Sequence, residues 1–180
     1  GLKVHLDGAR LFNAAVATGL PPAEFTRHVD SVQVCLTKGL GCPLGSFVAG
    51  SREFVEEATR ARKRLGGGMR QAGVIAAAGI YALKHNVDRL ADDHRRARQL
   101  AEALDELPGL TVDLETVESN MVYIDHRGTG KTTAELAEAL RVAGLIVSTK
   151  PPAHIRMVTN LDHDDDTIEE VVRRVRVALG

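Results

Sequence analysis

The sequence predicts an α/β fold, because short apolar runs of strand length alternate along the chain with longer segments of helical period. The 180 residues are 44% hydrophobic, an ordinary value for a globular chain. With four Phe, two Tyr and no Trp, any core must be built from aliphatic side chains.

The first half of the chain is expected to alternate strand and helix. The turn at Asp7 and Gly8 ends the first strand, and Gly19 with Pro21 beyond it ends the first helix. Ser51 can cap the second helix, and a triple glycine separates it from a third, Ala-rich helix that should pack closely against other backbones. Strands are predicted at 2–6, 31–36 and 44–49, and helices at 10–18, 51–64 and 69–84.

The second half is expected to form a small α/β unit. A long amphipathic helix begins near Val87 and ends near Pro108. Thr132 followed by Glu135 forms a capping box, and Gly144 ends the helix that this box begins. Further strands are predicted at 110–112, 121–125, 145–147 and 154–158, and helices at 133–143 and 166–179.

The balance of charges does not restrict the fold, but it narrows the classes of function that the chain could have. The chain has 23 basic and 24 acidic side chains, which argues against purely electrostatic nucleic-acid binding. Neither a membrane span nor a secretory leader is predicted, so the cytoplasm is the expected location. The spacing of Cys35 and Cys42 favours buried thiols over a disulfide. The chain begins at Gly1 without Met, in what is expected to be a buried strand, so either an upstream segment was removed or the chain is a piece of a longer protein.

An acidic and a basic residue follow two of the predicted strands. Asp7 comes at the end of the first strand and Lys38 after the second, and ligands of open α/β sheets lie beyond the carboxyl ends of strands. Pyridoxal phosphate needs a lysine for its resting Schiff base and a carboxylate at its ring nitrogen. Taken singly, Asp7 could be a turn residue and Lys38 a surface charge. Gly39 and Gly41 favour the cofactor role, since they leave the backbone around the amine bare.

Three longer motifs carry a resemblance to a known family. The segments HLDGARLFNA (5–14), CLTKGLG (35–41) and KRLGGGMRQAG (63–73) closely resemble the threonine aldolases, and SNMV (119–122) and HIRMVTN (154–160) continue the likeness. The resemblance covers essentially the whole chain but only the C-terminal part of the family. It implies the type I fold of pyridoxal-phosphate enzymes, with residues 1–88 forming the C-terminal part of the large cofactor-binding domain and residues 89–180 the small C-terminal domain.

The resemblance also implies roles for individual residues. Lys38 would be the Schiff-base lysine and Asp7 the partner of the pyridine nitrogen. Arg10 would be a cation beside the cofactor's phenolate oxygen and the substrate. Arg156 would pair with the substrate α-carboxylate through two N–H groups, which suits a planar guanidinium.

Two further basic residues flank the triple glycine. The resemblance implies that Lys63 and Arg70 lie near a cofactor phosphate, and in the family this segment reaches the cofactor of a neighbouring subunit. A Gly-rich break before a helix N-terminus is suited to binding an anion. For Lys63 a solvated basic face is an equal alternative, because Arg60, Arg62 and Arg64 lie beside it.

The implied reaction is retro-aldol cleavage of L-threonine, L-allo-threonine and related β-hydroxy-α-amino acids to glycine and an aldehyde. A β-eliminating lyase or aminotransferase, or a non-catalytic fragment, remains open. The expected partners are a small amino-acid substrate and either identical subunits, as a tetramer of two dimers, or the missing N-terminal part. The family's general base and ring-stacking residue lie upstream of Asp7 and have no counterpart here.

Two other patterns are expected to carry no site. Gly128–Thr132 resembles the end of a nucleotide-binding loop, but Asp125 occupies the position of that motif's first glycine. His126, His154 and His163 lack metal-ligand spacing, so no metal site is predicted.

Overall fold

A mixed three-stranded sheet organises the first of two units in the computed structural model, which describes residues 1–180. This unit comprises Gly1–Leu90. β1 (His5–Asp7) runs parallel to β2 (Ser31–Cys35), and β3 (Ser46–Gly50) pairs antiparallel with the other edge of β2. The sheet order is therefore β1-β2-β3.

Four helices belong to this unit, and the structure shows local caps for two of them. They are α1 (Leu11–Thr18), α2 (Pro22–Thr26), α3 (Arg52–Arg64) and α4 (Gly73–His85). Gly19 ends α1 in a left-handed conformation, with φ 69°. The hydroxyl of Ser51 accepts from the amide of Phe54 and so caps α3. Leu11 and Val34 pack in one small apolar cluster of this unit, and Leu40 and Leu90 in another.

The second unit, Ala91–Gly180, is built around an antiparallel sheet of order β4-β6-β5. Its strands are β4 (Met121–Asp125), β5 (Ser148–Lys150) and β6 (His154–Val158), and its helices are α5 (which begins at Leu90 and ends at Asp105), α6 (Thr133–Val142) and α7 (Asp165–Leu179). Single 3₁₀ turns lie at Leu114–Thr116 and Arg127–Thr129. Leu104, Ile124, Leu140, Ile155 and Val175 are almost fully buried in its core.

Most predicted elements are present, and the predicted caps are confirmed. Thr132 and Glu135 form the expected reciprocal capping box, and Leu100 and Leu104 of α5 face the core. Cys42 is buried and Cys35 half-buried, both as free thiols. No helix is both long and apolar enough to cross a membrane.

Three predictions in the first unit need correction. The first strand covers His5–Asp7 rather than 2–6 and is not buried, since His5 and Asp7 are exposed and Leu6 is only half-buried. The Pro21–Pro22 step does not only end a helix but begins α2, with Pro22 at its first position, where a proline costs no hydrogen bond. The Ala-rich helix α4 starts at Gly73 instead of 69, because Gln71 takes a left-handed backbone with φ 50°.

Two strand predictions in the second unit are wrong. Residues 110–112 form no strand, although Leu110 and Val112 are buried, because only Thr111 bridges to Asp125. Leu145 and Val147 pack against the core without strand pairing while Ile146 between them is exposed, and β5 begins at Ser148, where its register with β6 starts.

Candidate active site

The ends of β1 and β2 form the candidate site in the first unit. The two strands are parallel, with Asp7 opposite Gln33, so their carboxyl ends meet at one edge of the sheet. Asp7 is the last residue of β1, and Lys38 follows the end of β2 at Cys35 by three residues. The sheet therefore brings a carboxylate and an amine to the same edge, as expected for an α/β ligand site.

Asp7 shapes the turn that leads into α1. Its Oδ1 accepts a hydrogen bond from the amide of Ala9 at 3.1 Å, while the side chain remains exposed. Gly8 is required here, because a Cβ at this position would lie 2.8 Å from the carbonyl oxygen of Gln33. Arg10 directly precedes α1 and is half-buried, with its Nε shielded from solvent.

Lys38 lies exposed on a loop whose next residues are buried. No hydrogen bond or ion pair engages its amine. Gly39 and Leu40 are buried, and the amide of Gly41, with φ 72°, donates to the carbonyl of Lys38 at 2.9 Å. The loop thus presents the lysine side chain to solvent from a tightly turned backbone.

His5 and the cysteines beside this loop have structural contacts. His5 Nδ1 lies 2.8 Å from the hydroxyl of Ser31, which joins β1 to β2 through side chains. Gln33 donates to the sulfur of Cys35 at 3.2 Å. Burial raises the pKa of the Cys42 thiol, so this group is less reactive than an exposed cysteine.

Lys63 and Arg70 lie on either side of the triple glycine, as expected, but α4 begins later than predicted. Lys63 is in the last turn of α3, with Nζ 2.9 Å from where a Cβ of Gly68 would stand. Arg70 is exposed in the turn three residues before α4 rather than at a helix N-terminus. No hydrogen bond or ion pair joins either side chain to Asp7 or Lys38.

Arg156 belongs to the second unit, in the middle of β6. It is half-buried, its Nε has no hydrogen-bond partner, and it lies opposite Tyr123 of β4 and Ser148 of β5. It also lines a cavity of about 330 Å³ together with Thr159 and apolar side chains of α7. Its Nε–H is shielded from solvent and lacks an acceptor within the structure, an unusual state for a buried donor.

Sequence reasoning missed two asparagines that touch the lysine loop. Asn86 donates to the carbonyl of Leu40 at 2.8 Å, and the buried amide of Asn13 lies against Gly39. Their types gave some signal, since Asn86 follows a helix end and Asn13 is a polar residue on the apolar stripe of α1, but neither pattern indicates a partner far along the chain.

Comparison with solved structures identifies the fold. A protein from Exiguobacterium sp. 255-15, provisionally named an aromatic amino acid beta-eliminating lyase/threonine aldolase, matches 99% of this chain and 53% of its own with TM-score 0.77 and 26% identity. Serine palmitoyltransferase of Sphingomonas wittichii matches 87% of this chain and 41% of its own with TM-score 0.66 and 23% identity, which bears on the fold alone. The match in fold defines an α/β protein of the type I pyridoxal-phosphate fold.

Sequence comparison then narrows the class to a family. Residues 1–127 match the family described as beta-eliminating lyase, and the chain belongs to that family. Low-specificity L-threonine aldolase 1 of Arabidopsis thaliana is 46% identical over 159 residues, which are 88% of this chain and 44% of the relative. The low specificity L-threonine aldolase of Escherichia coli (strain K12) is 42% identical over 179 residues, which are 99% of this chain and 52% of the relative. The chain therefore spans about half the length of the curated relatives it matches.

Proposed function

We propose that this chain acts in the pyridoxal-phosphate-dependent retro-aldol cleavage of L-threonine, L-allo-threonine and related β-hydroxy-α-amino acids to glycine and an aldehyde. The proposal rests on one observation. The amine of Lys38 is exposed, has no hydrogen bond or ion pair, and lies at the same edge of the sheet as the carboxylate of Asp7. The names of the relatives, L-threonine aldolases of Arabidopsis thaliana and Escherichia coli, support the choice of substrate.

The residues at the strand ends fit this cofactor. A lysine without a salt-bridge partner can reach a carbonyl carbon, and an exposed carboxylate on the neighbouring strand can hold a proton on a ring nitrogen. When bound, pyridoxal phosphate supplies an electron sink for the electron pair left by the broken Cα–Cβ bond. Asp7 would deepen that sink by keeping the ring nitrogen protonated.

The other site residues would bind and orient. Arg10 would place a cation beside the cofactor's phenolate oxygen, and Arg156 would hold the substrate α-carboxylate through two N–H groups. The unpartnered Nε of Arg156 supports that role. Lys63 and Arg70 would neutralise a phosphate, with the flexible Lys63 ammonium already folded over Gly68.

A second candidate function is β-elimination on the same lysine and aspartate. The family description and the provisional name of the Exiguobacterium protein favour it. The products separate the two reactions, since the aldol cleavage yields glycine and an aldehyde whereas elimination yields ammonia and a keto acid.

We further propose a homotetramer in the cytoplasm. The apolar surface of α4 supports self-association, because Val74, Ile80 and Tyr81 are all more than half exposed. The two free thiols are in keeping with a reducing compartment. Sedimentation equilibrium tests the assembly, and a monomer would contradict it.

Borohydride reduction with added pyridoxal phosphate tests the proposed reaction. The wild type should acquire a covalent label on the tryptic peptide that contains Lys38, and L-threonine should yield equal amounts of glycine and acetaldehyde. Lys38→Ala should lose both the label and the products, whereas Lys84→Ala, which changes an exposed lysine at the end of α4, should keep them. Products without dependence on Lys38, or a label on other lysines alone, would contradict the proposal.

A further inference from the structure

We propose that Asn86 is a positioning residue for Lys38, acting through the backbone of the loop that carries the lysine. The inference rests on the proposed function, because it concerns how the cofactor-binding amine is held. Asn86 would touch neither cofactor nor substrate, and its effect would pass through Leu40.

The contact is a single hydrogen bond across 46 residues. Asn86 Nδ2 donates to the carbonyl oxygen of Leu40 at 2.8 Å in a part-buried setting. Leu40 is 3% exposed and lies two residues beyond Lys38. A buried carbonyl left without a donor is costly, so this bond favours one position of the loop.

The donor itself is well anchored. Asn86 is the cap residue of α4, and its own amide donates to the carbonyl of Ala82 at 2.8 Å. Ala82 is buried and packs in the same apolar cluster as Leu40, Cys42 and Leu90. The end of α4 therefore holds the side-chain amide of Asn86 against the loop.

The opposite side of the loop is held by packing. A Cβ on Gly39 would lie 2.6 Å from Leu90 Cδ2 and 3.3 Å from Asn13 Oδ1, so the backbone already presses against both residues. The amide of Cys42 donates to the carbonyl of Leu36 at 3.0 Å, which closes the base of the loop.

The side chain of Lys38 is exposed on this closed loop. Held between α1 and the end of α4, the backbone fixes where that side chain begins. Attack of an amine on a carbonyl depends steeply on position, so a small loop displacement lowers the rate of covalent attachment.

Two variants and a matched control test the role of Asn86. Asn86→Ala removes the amide, and Asn86→Asp keeps its size while replacing the donor with an acceptor, which also covers the case in which Asn86→Ala fails to fold. Lys84→Ala changes the same last turn of α4 without touching the loop.

The first measurement needs no cofactor. Hydrogen exchange of the Gly41 and Cys42 amides should be about fivefold faster in both Asn86 variants than in the wild type and Lys84→Ala, as loss of one net hydrogen bond implies. The second measurement is the rate at which added pyridoxal phosphate becomes reducible onto Lys38 by borohydride, together with the pH at which the visible absorbance of the bound cofactor titrates. Both should change in the Asn86 variants, and kcat should fall more than KM rises.

The outcomes separate the two proposals. Unchanged labelling, titration and loop exchange in folded Asn86 variants would overturn the positioning role while leaving the proposed function intact. A lower melting temperature with unchanged labelling would assign Asn86 a purely structural role. Absence of any label on Lys38 in the wild type would overturn the proposed function, and the positioning role with it.

Discussion

Arg156 lies directly opposite Tyr123 in the antiparallel register of β4 and β6. Ser148 of β5 is its partner on the other side, so Arg156 lies between Tyr123 and Ser148 in the strand register. The adjacent residue Ile155 is buried in the core, which places Arg156 on the opposite face of the sheet. The side chain of Arg156 therefore belongs to the face of the sheet opposite to that of Ile155.

We predict that Arg156→Lys raises KM for L-threonine about 10- to 100-fold with a smaller effect on kcat, because an ammonium cannot make two parallel bonds to one carboxylate. Steady-state kinetics measures the change. Arg141→Lys, on an exposed turn of α6, should leave both constants unchanged and serves as the control. An unaltered KM in Arg156→Lys would remove this residue from the substrate site.

Much of the fold could be predicted because its signals are local. The caps at Ser51 and Thr132 involve residues three apart in sequence, and the burial of α5 follows its own periodicity. β5 could not be placed from sequence, since its start is set by the pairing of Ser148 with Arg156 on another strand. The apolar residues 145–147 have the composition of a strand, but only Leu145 and Val147 contact the core, and they do so through side chains without strand pairing.

The candidate site likewise contains residues whose positions could be predicted from the sequence and residues whose contacts could not. The placement of Asp7 and Lys38 at the carboxyl ends of parallel strands could be predicted, because it follows from the order of strands and turns in the sequence. The contact of Asn86 with Leu40 could not, since an asparagine after a helix is typical of an ordinary cap and its partner lies 46 residues away.

Close packing at Gly39 leads to a stability prediction. Gly39→Ala should lower the free energy of unfolding by about 1–3 kcal/mol, because its methyl group would meet the fully buried Leu90 at 2.6 Å. The displaced loop should also slow labelling of Lys38. Chemical denaturation and borohydride reduction measure the two effects.

Gly73→Ala provides the control for that substitution. Nothing lies within 4 Å of a Cβ at Gly73, the first residue of α4. We expect it to raise the free energy of unfolding by up to about 1 kcal/mol, by restricting the unfolded chain. Equal destabilisation by both changes would show that the contact with Leu90 is not the cause.

Asp125 gives a prediction of pH dependence. Hydrogen bonds from the side chain and backbone of Arg127 lower its pKa from 3.8 to about 2. Because the folded pKa lies below the unfolded one, the stabilisation is present above about pH 4 and is lost as the pH falls toward 2. Asp125→Asn should therefore cost about 1 kcal/mol at pH 7, a value discounted for the exposure of Arg127.

This prediction is checked by urea denaturation between pH 7 and about pH 2.5, the range over which protonation of Asp125 should change the free energy of unfolding. The difference between wild type and Asp125→Asn should narrow below pH 4. Glu138→Gln, which removes a fully exposed pair with Arg141, should change stability little at any pH. A difference that stays constant down to pH 2.5 would assign the loss to packing instead of charge.

The hydroxyl of Thr159 makes a buried hydrogen bond that stabilises the second unit. It is buried and donates to the carbonyl oxygen of Asp93 at 2.6 Å, while the backbone of Thr159 exchanges hydrogen bonds with Asn120. Thr159→Val keeps the shape but removes the donor, so we predict a loss of about 1–3 kcal/mol in the free energy of unfolding. Thr149→Val on exposed β5 makes the same chemical change without a buried partner and should cost far less. Because Thr159 directly follows β6, which carries Arg156, the variant should also raise KM for L-threonine by displacing Arg156. Lowered stability with an unchanged KM would limit Thr159 to a structural role.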